Sequence, residues 1–174
     1  MIRLAREDDI PAIAAIYERI HDREEAGRTT IGWIRGVYPT ERTAREALAA
    51  GDLFVREAGG RILAAARINR VQVPEYVLAP WEHEAPAEQV MVLHTLCVDP
   101  PEAGKGIGKD FVAFYETYAR SQGCPYLRMD TNEKNAAARA MYSKLGYGEA
   151  GIVPCDFNGI PGVRLVCLEK YLGE

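Results

Sequence analysis

The chain has no apolar run of membrane-spanning length, no closely spaced cysteine pair and no excess of positive charge. Each absence removes a class of protein. A bilayer-crossing helix needs about 20 consecutive apolar residues. The opening Met1-Ile-Arg-Leu-Ala-Arg6 also lacks the apolar segment of a signal peptide, so a cytoplasmic location is expected. The four cysteines, Cys97, Cys124, Cys155 and Cys167, are scattered with no C-x-x-C pair. That excludes zinc-ribbon spacing and predicts reduced thiols and no metal. A formal net charge of −4 gives no electrostatic case for nucleic acid or an anionic membrane as a partner. What is present suffices for one core: 48% of 174 residues are apolar. Nothing repeats and no composition shift marks a boundary, so residues 1–174 are read as a single domain.

The densest signal runs from Met91 to Gly123. Met91-Val-Leu-His-Thr-Leu-Cys-Val-Asp99 is apolar and β-branched, the pattern of a buried strand. Gly104, Gly106 and Gly108 follow within five residues. Helical spacing then returns, with Ile107, Phe111, Phe114, Tyr115 and Tyr118 on one broad face and Gly123 as a C-cap. A strand, a glycine loop and a helix N-terminus together favour phosphate, because glycines let backbone N–H groups turn toward a ligand and the helix dipole adds positive potential.

Spacing decides which phosphate loop this is. A P-loop needs Gly at 103 and Ser or Thr at 110, and the chain has Ala103 and Asp110. A dinucleotide fingerprint counted from Gly104 needs Gly at 109 and finds Lys109. Leu96-Cys97-Val98-Asp99-Pro100 followed by Gly106-Ile107-Gly108 instead resembles the coenzyme A pyrophosphate loop of the GNAT N-acetyltransferase superfamily. The Arg or Gln that opens that family's motif is Ala103 here. A second segment, Asn135-x-x-Ala138-x-x-Met141-Tyr142-Ser-Lys144-Leu145-Gly146-Tyr147, is similar to the family's Asn-x-x-Ala-x-x-Leu-Tyr-Glu-Lys-Leu-Gly-Phe, with Met, Ser and Tyr as replacements. Two motifs in the right order are far more specific than either alone.

The remaining chain predicts an α/β fold. Ile2 to Ala5 reads as a short strand, and Asp8-Asp9 before Ile10-Pro11 as the N-cap of a first helix whose face is Ile10, Ile13, Ala14, Ile16, Tyr17 and Ile20. A second helix follows Pro39, capped by Thr40 or by a Thr43/Glu46 capping box, and ends near Gly51. Gly59-Gly60 predicts a hairpin, residues 71–89 a loop with short helices, Pro125 to Asp130 a strand, and Asn132 or Asn135 the cap of a last helix. Two closing strands turn at Asn158-Gly159. The order β-α-α-β-β-β-α-β-α-β-β predicts a mixed sheet with a parallel pair flanking the glycine-loop helix. The resemblance implies a single GNAT-like domain: a mostly antiparallel sheet, about four helices, and a parallel pair splayed around the cofactor.

The resemblance also implies chemistry, acetyl transfer from acetyl-CoA to a primary amine by direct attack in a ternary complex. The acceptor would be a small molecule, an amino acid or a peptide, and the protein a monomer or homodimer. On that reading the backbone of Leu96, Cys97 and Val98 pairs with the pantetheine arm. Gly104, Lys105, Gly106, Ile107, Gly108 and Lys109 hold pyrophosphate, Asn135 meets the pantetheine end, and Lys144 reaches the nucleotide phosphates. Tyr142 is the acid for the departing thiolate; a phenol suits that role because its reference pKa exceeds that of a thiol. His94, read as sharing strand parity with Leu96 and Val98, is the candidate base. Acceptor candidates are Glu24, Glu25, Trp33 and Tyr38 in the first helix connection, and Glu82 and His83 before the central strand. Plainer readings stand beside these: a core tyrosine, a hydrogen-bonded histidine, solvated acids. A non-catalytic acyl-CoA-binding module is the alternative function.

Overall fold

Two glycine-bearing turns close the hairpins that frame the sheet in a computed structural model describing residues 1–173. Gly59 and Gly60 both take positive φ (56° and 72°) between β2 (Leu53–Ala58) and β3 (Arg61–Asn69). Asn158 and Gly159 do the same (52° and 79°) between β6 (Gly148–Phe157) and β7 (Ile160–Tyr171). Positive φ at both central positions matches the right-handed twist of antiparallel strands, so both predicted hairpins form. With β1 (Ile2–Leu4), β4 (Val90–Val98) and β5 (Tyr126–Asn132) they build a seven-stranded sheet in the order β1-β2-β3-β4-β5-β7-β6. Among the described residues only β4 and β5 run parallel.

Four helices cover the two faces. Strand alternation sends Val55, Ala65 and Cys97 toward α1 (Ile10–Glu25) and α2 (Glu41–Ala49), where they pack with Ile13, Ile16, Tyr17 and Ala47. Phe54, Ala64 and Ala66 point to the opposite face, against Phe111 and Tyr115 of α3 (Ile107–Ser121) and near Tyr142 of α4 (Ala136–Lys144). Between β3 and β4 come only one-turn 3-10 helices at Pro74–Leu78 and Ala87–Gln89, as the prolines predict.

The expected Asp9 cap is built differently, and of the two alternatives for α2 the Thr40 cap is the one that forms. The Asp9 carboxylate does not cap α1; it accepts hydrogen bonds from the Arg6 amide at 2.7 Å and the Arg3 guanidinium at 2.7 and 3.0 Å, tying the helix entry to β1. The α2 box joins Thr40 to Thr43, whose hydroxyl accepts from the Thr40 amide at 3.0 Å, while Glu46 pairs with Arg42 instead.

A bulge in β4 sets the centre of the molecule. Arg67 pairs with His94 and Ala65 with Cys97, so one residue of β3, Ala66, opposes two of β4, Thr95 and Leu96, and Thr95 takes a left-handed φ of 53°. The extra residue reverses side-chain alternation. His94 therefore faces the same side as Cys97, the α1 side, and the expected shared face with Leu96 and Val98 is overturned.

Candidate active site

Below the bulge, β4 and β5 part. Their pairing runs from Val90 with Tyr126 to Leu93 with Met129 and stops. Beyond it the residues Thr95 to Val98 on one strand and Asp130 to Asn132 on the other line a cavity of about 750 Å³. Crevices outside the carboxyl ends of parallel strands are the usual ligand sites of such sheets.

The glycine loop forms one end of this cavity. Pro100–Glu102 make one 3-10 turn, Gly104 and Gly106 take φ of 79° and 82°, and α3 starts at Ile107. Among the described residues the amides of Gly104, Gly106, Ile107, Gly108 and Lys109 have no backbone acceptor; the Asp110 amide is the first to be satisfied, by the Gly106 carbonyl at 2.9 Å. These are the orphan donors of a helix start. A Cβ on Gly108 would lie 3.2 Å from Sδ of Met141 and 3.8 Å from Cγ2 of Val98, so α3, α4 and β4 converge here and glycine leaves the cleft open. The unpaired amides and the open cradle fit a diphosphate and its extended arm.

α4 forms the opposite wall. The Asn135 side-chain carbonyl caps the helix, accepting from the Ala138 amide at 3.2 Å, so the expected ligand contact is left to its amide nitrogen. Tyr142, two turns along, is buried, lines the cavity and packs edge-on against Tyr147 at 5.9 Å. Its hydroxyl has no hydrogen-bond partner among the described residues. Burial, with the Asp130 charge adding, pushes its pKa up, so the phenol stays protonated at neutral pH.

A second cavity of about 440 Å³ opens on the α1–α2 side. Tyr38, Thr95, Asp130, Phe157 and Asn158 line both, so the two spaces adjoin at the splay. Asp130 is recessed, and removal from bulk water raises its pKa to about 6, against the opposing hydrogen bond from the Tyr76 hydroxyl at 2.7 Å. Tyr38 hydrogen-bonds the Thr95 hydroxyl beside it.

His94 lines the second cavity and not the first. The Val71 amide donates to Oδ1 of Asn69 at 2.9 Å, and Asn69 donates through Nδ2 to Asp52 at 2.7 Å. The Asn69 amide is thus oriented, and His94 Nε2, 2.9 Å from that same Oδ1, must carry its hydrogen. Desolvation and the Arg67 charge push the imidazole pKa down to about 4. A group so weakly basic is a neutral hydrogen-bonding side chain at working pH.

Of the other candidates, Leu96, Cys97, Val98, Gly104, Gly106, Ile107, Gly108, Lys109, Asn135, Lys144, Trp33 and Tyr38 line the first cavity. Lys105 does not; it pairs with Glu102 at 2.9 Å in solvent. Glu24 folds the loop that carries Trp33, accepting from the Ile31 and Gly32 amides, both at 2.8 Å. Glu25 pairs outward with Arg35. Glu82 and His83 line neither cavity: His83 packs on Tyr126 and Tyr171, at the end of β5 away from the splay. The Cys97 thiol is pushed up to about 12 by burial, which removes it as a nucleophile. The sequence reading missed Asp130. A lone carboxylate ending an apolar strand, just before a helix cap, was the available signal.

A family profile described as "Acetyltransferase (GNAT) family" matches residues 13–147, most of the chain. The chain belongs to the GNAT acetyltransferase family. Solved structures share the GNAT fold. An acetyltransferase of the GNAT family from Streptococcus agalactiae superposes with a TM-score of 0.82 at 24% identity, covering 100% of this chain and 96% of that one. The ribosomal-protein-alanine N-acetyltransferase from Brucella melitensis gives 0.71 at 22%, covering 99% of both. The Salmonella typhimurium protein yncA, solved with its cofactor acetyl-CoA, gives 0.68 at 18%, covering 100% and 94%. A search of curated protein sequences found no match. No helix among the described residues is long and apolar enough to cross a membrane.

Proposed function

We propose that this GNAT protein transfers an acetyl group from acetyl-CoA to a primary amine, both bound at once. The presence of Asp130 in the lining of both adjacent cavities carries the reading: a thioester lying along one side of the splay and an amine entering from the other would approach each other there. The open amides of the glycine loop would hold the diphosphate, and the Leu96–Val98 backbone the extended arm. The acyl donor supplies a carbonyl already activated as a thioester.

The protein's own groups supply position and proton traffic. Asp130, ionised above pH 6, takes a proton from the incoming ammonium and leaves the free amine to attack. Tyr142 gives its proton to the departing sulfur; the second proton, shed by the attacking nitrogen as the amide forms, leaves to solvent, from which the phenolate is reprotonated. His94, neutral and held by Asn69, orients the amine from the second cavity. Trp33 and Tyr38, edge-on at 6.1 Å, flank the acceptor path as aromatic surfaces suited to a cation.

Initial rates with both substrates varied, following CoA thiol release over an amine panel, test the reading. Intersecting double-reciprocal lines are expected. Parallel lines would indicate an acetyl-enzyme and overturn direct attack. Tight CoA binding with no turnover on any amine would favour a non-catalytic binding module.

A further inference from the structure

We propose that Arg23, on the last turn of α1, is a diphosphate ligand of CoA, an electrostatic clamp facing the glycine loop. The inference rests on the cofactor reading above. Arg23 lines the first cavity beside Pro100, Ala103 and Gly104. The loop offers backbone donors there but no charged side chain at position 103, which is alanine.

The guanidinium is under-used. Its Nη1 reaches the Pro100 carbonyl only at 3.5 Å, and its Nε is fully buried with no acceptor. Among the described residues no carboxylate oxygen lies within 4 Å of it, although the nearby Arg19 and Arg61 both pair with Asp99. The closest acid of the loop, Glu102, is engaged by Lys105 and Arg61. A half-buried cation without a counter-ion, facing a row of open amides, asks for an anion in the space between. Arg presents several donors in a fixed fork, the geometry that phosphate oxygens accept. The competing account is that Arg23 serves only the C-terminal end of α1, where a cation is favoured by the helix dipole.

Calorimetry with CoA, 3′-dephospho-CoA and pantetheine, on the parent, Arg23→Gln and Arg23→Lys, separates the accounts. Arg23→Gln should weaken CoA and 3′-dephospho-CoA alike by about 10–100-fold, the range of a charge-assisted hydrogen bond, and leave pantetheine unchanged. Arg23→Lys, which keeps the charge and loses the fork, should fall between, and melting temperatures should stay near the parent's. CoA affinity within twofold of the parent in Arg23→Gln overturns the proposal. So does a loss confined to CoA, which would assign the contact to the 3′-phosphate, and so does a drop in melting temperature with no ligand selectivity, which would assign Arg23 to the helix end. A parent that binds no CoA overturns the cofactor reading itself, an outcome visible before any variant is compared.

Discussion

The Tyr76 hydroxyl donates a 2.7 Å hydrogen bond to the Asp130 carboxylate, which lines both cavities. Tyr76 is buried under the sheet by its packing with Trp81 and Val90, so this donor fixes the rotamer of the only acid among the described residues that lines both spaces. The hydrogen bond orients the carboxylate and favours its charged form, while burial disfavours that form by more.

Asp130→Asn should therefore separate stability from activity. The native pKa of about 6 lies above the ordinary value of 3.8. The folded state binds that proton more tightly than the unfolded chain, so the contribution is fully present below about pH 4 and is lost as pH rises through 6. Asn keeps an acceptor for Tyr76 and carries no charge. It should stabilise the protein by about 1–3 kcal/mol at pH 7.5 and by almost nothing at pH 4, read by denaturant unfolding. Turnover should drop by about 10²–10⁴-fold. Unchanged turnover would remove Asp130 as the base.

The glycine loop makes a different separation. Gly106→Ala forces a side chain onto φ of 82° and should cost roughly 1–2 kcal/mol in stability, with a smaller effect on CoA affinity. Gly108→Val instead puts branched carbon where Sδ of Met141 is 3.2 Å from a Cβ. The thioether can yield, so the melting temperature should move little while CoA affinity falls by tenfold or more. Equal CoA dissociation constants for Gly108→Val and parent would show that the cleft is not the cofactor site.

His94→Gln should lower kcat/KM for the acceptor by about 3–10-fold, the worth of one neutral hydrogen bond. Since the imidazole titrates near pH 4, the pH-rate profile above pH 5 should keep its shape. An inflection that disappears in the variant would make His94 the base and return Asp130 to a structural role.

The sequence carried the parts whose local chemistry is self-sufficient. Gly59-Gly60 and Asn158-Gly159 specify turns, the α1 isoleucines specify a face, and Gly104 to Gly108 specify a helix start with open amides. What it hid depends on tertiary placement. The bulge at Thr95 has no compositional mark, because the left-handed residue is not glycine, and one inserted residue was enough to send His94 to the other face. Asp130 reads as a solvated strand end until β4 and β5 part around it. Glu82 and His83 lie away from the acceptor side because the path of residues 71–89 is set by distant partners that local sequence does not reveal: Arg128 lies 4.2 Å over Trp81 and donates to the His83 carbonyl at 2.9 Å.

Tyr142→Phe is the sharpest test of the chemistry. The ring stays, so its edge-on contact with Tyr147 at 5.9 Å and its burial in the core are kept. Only a hydroxyl that has no hydrogen-bond partner within the described protein is removed, so no donor or acceptor is orphaned. Melting temperature should stay level or rise slightly, and CoA affinity should barely change. Loss of a positioned acid typically lowers turnover by 10²–10⁴-fold, roughly 3–5 kcal/mol in the barrier. A thioester with a better leaving thiol needs the acid less, so the deficit should shrink as thiol pKa falls across a series of acyl donors. Near-parent turnover in a normally folded variant would mean that the thiolate departs unassisted. Loss of stability and activity together would make Tyr142 a packing residue, and the acid would have to be sought elsewhere on the cavity wall.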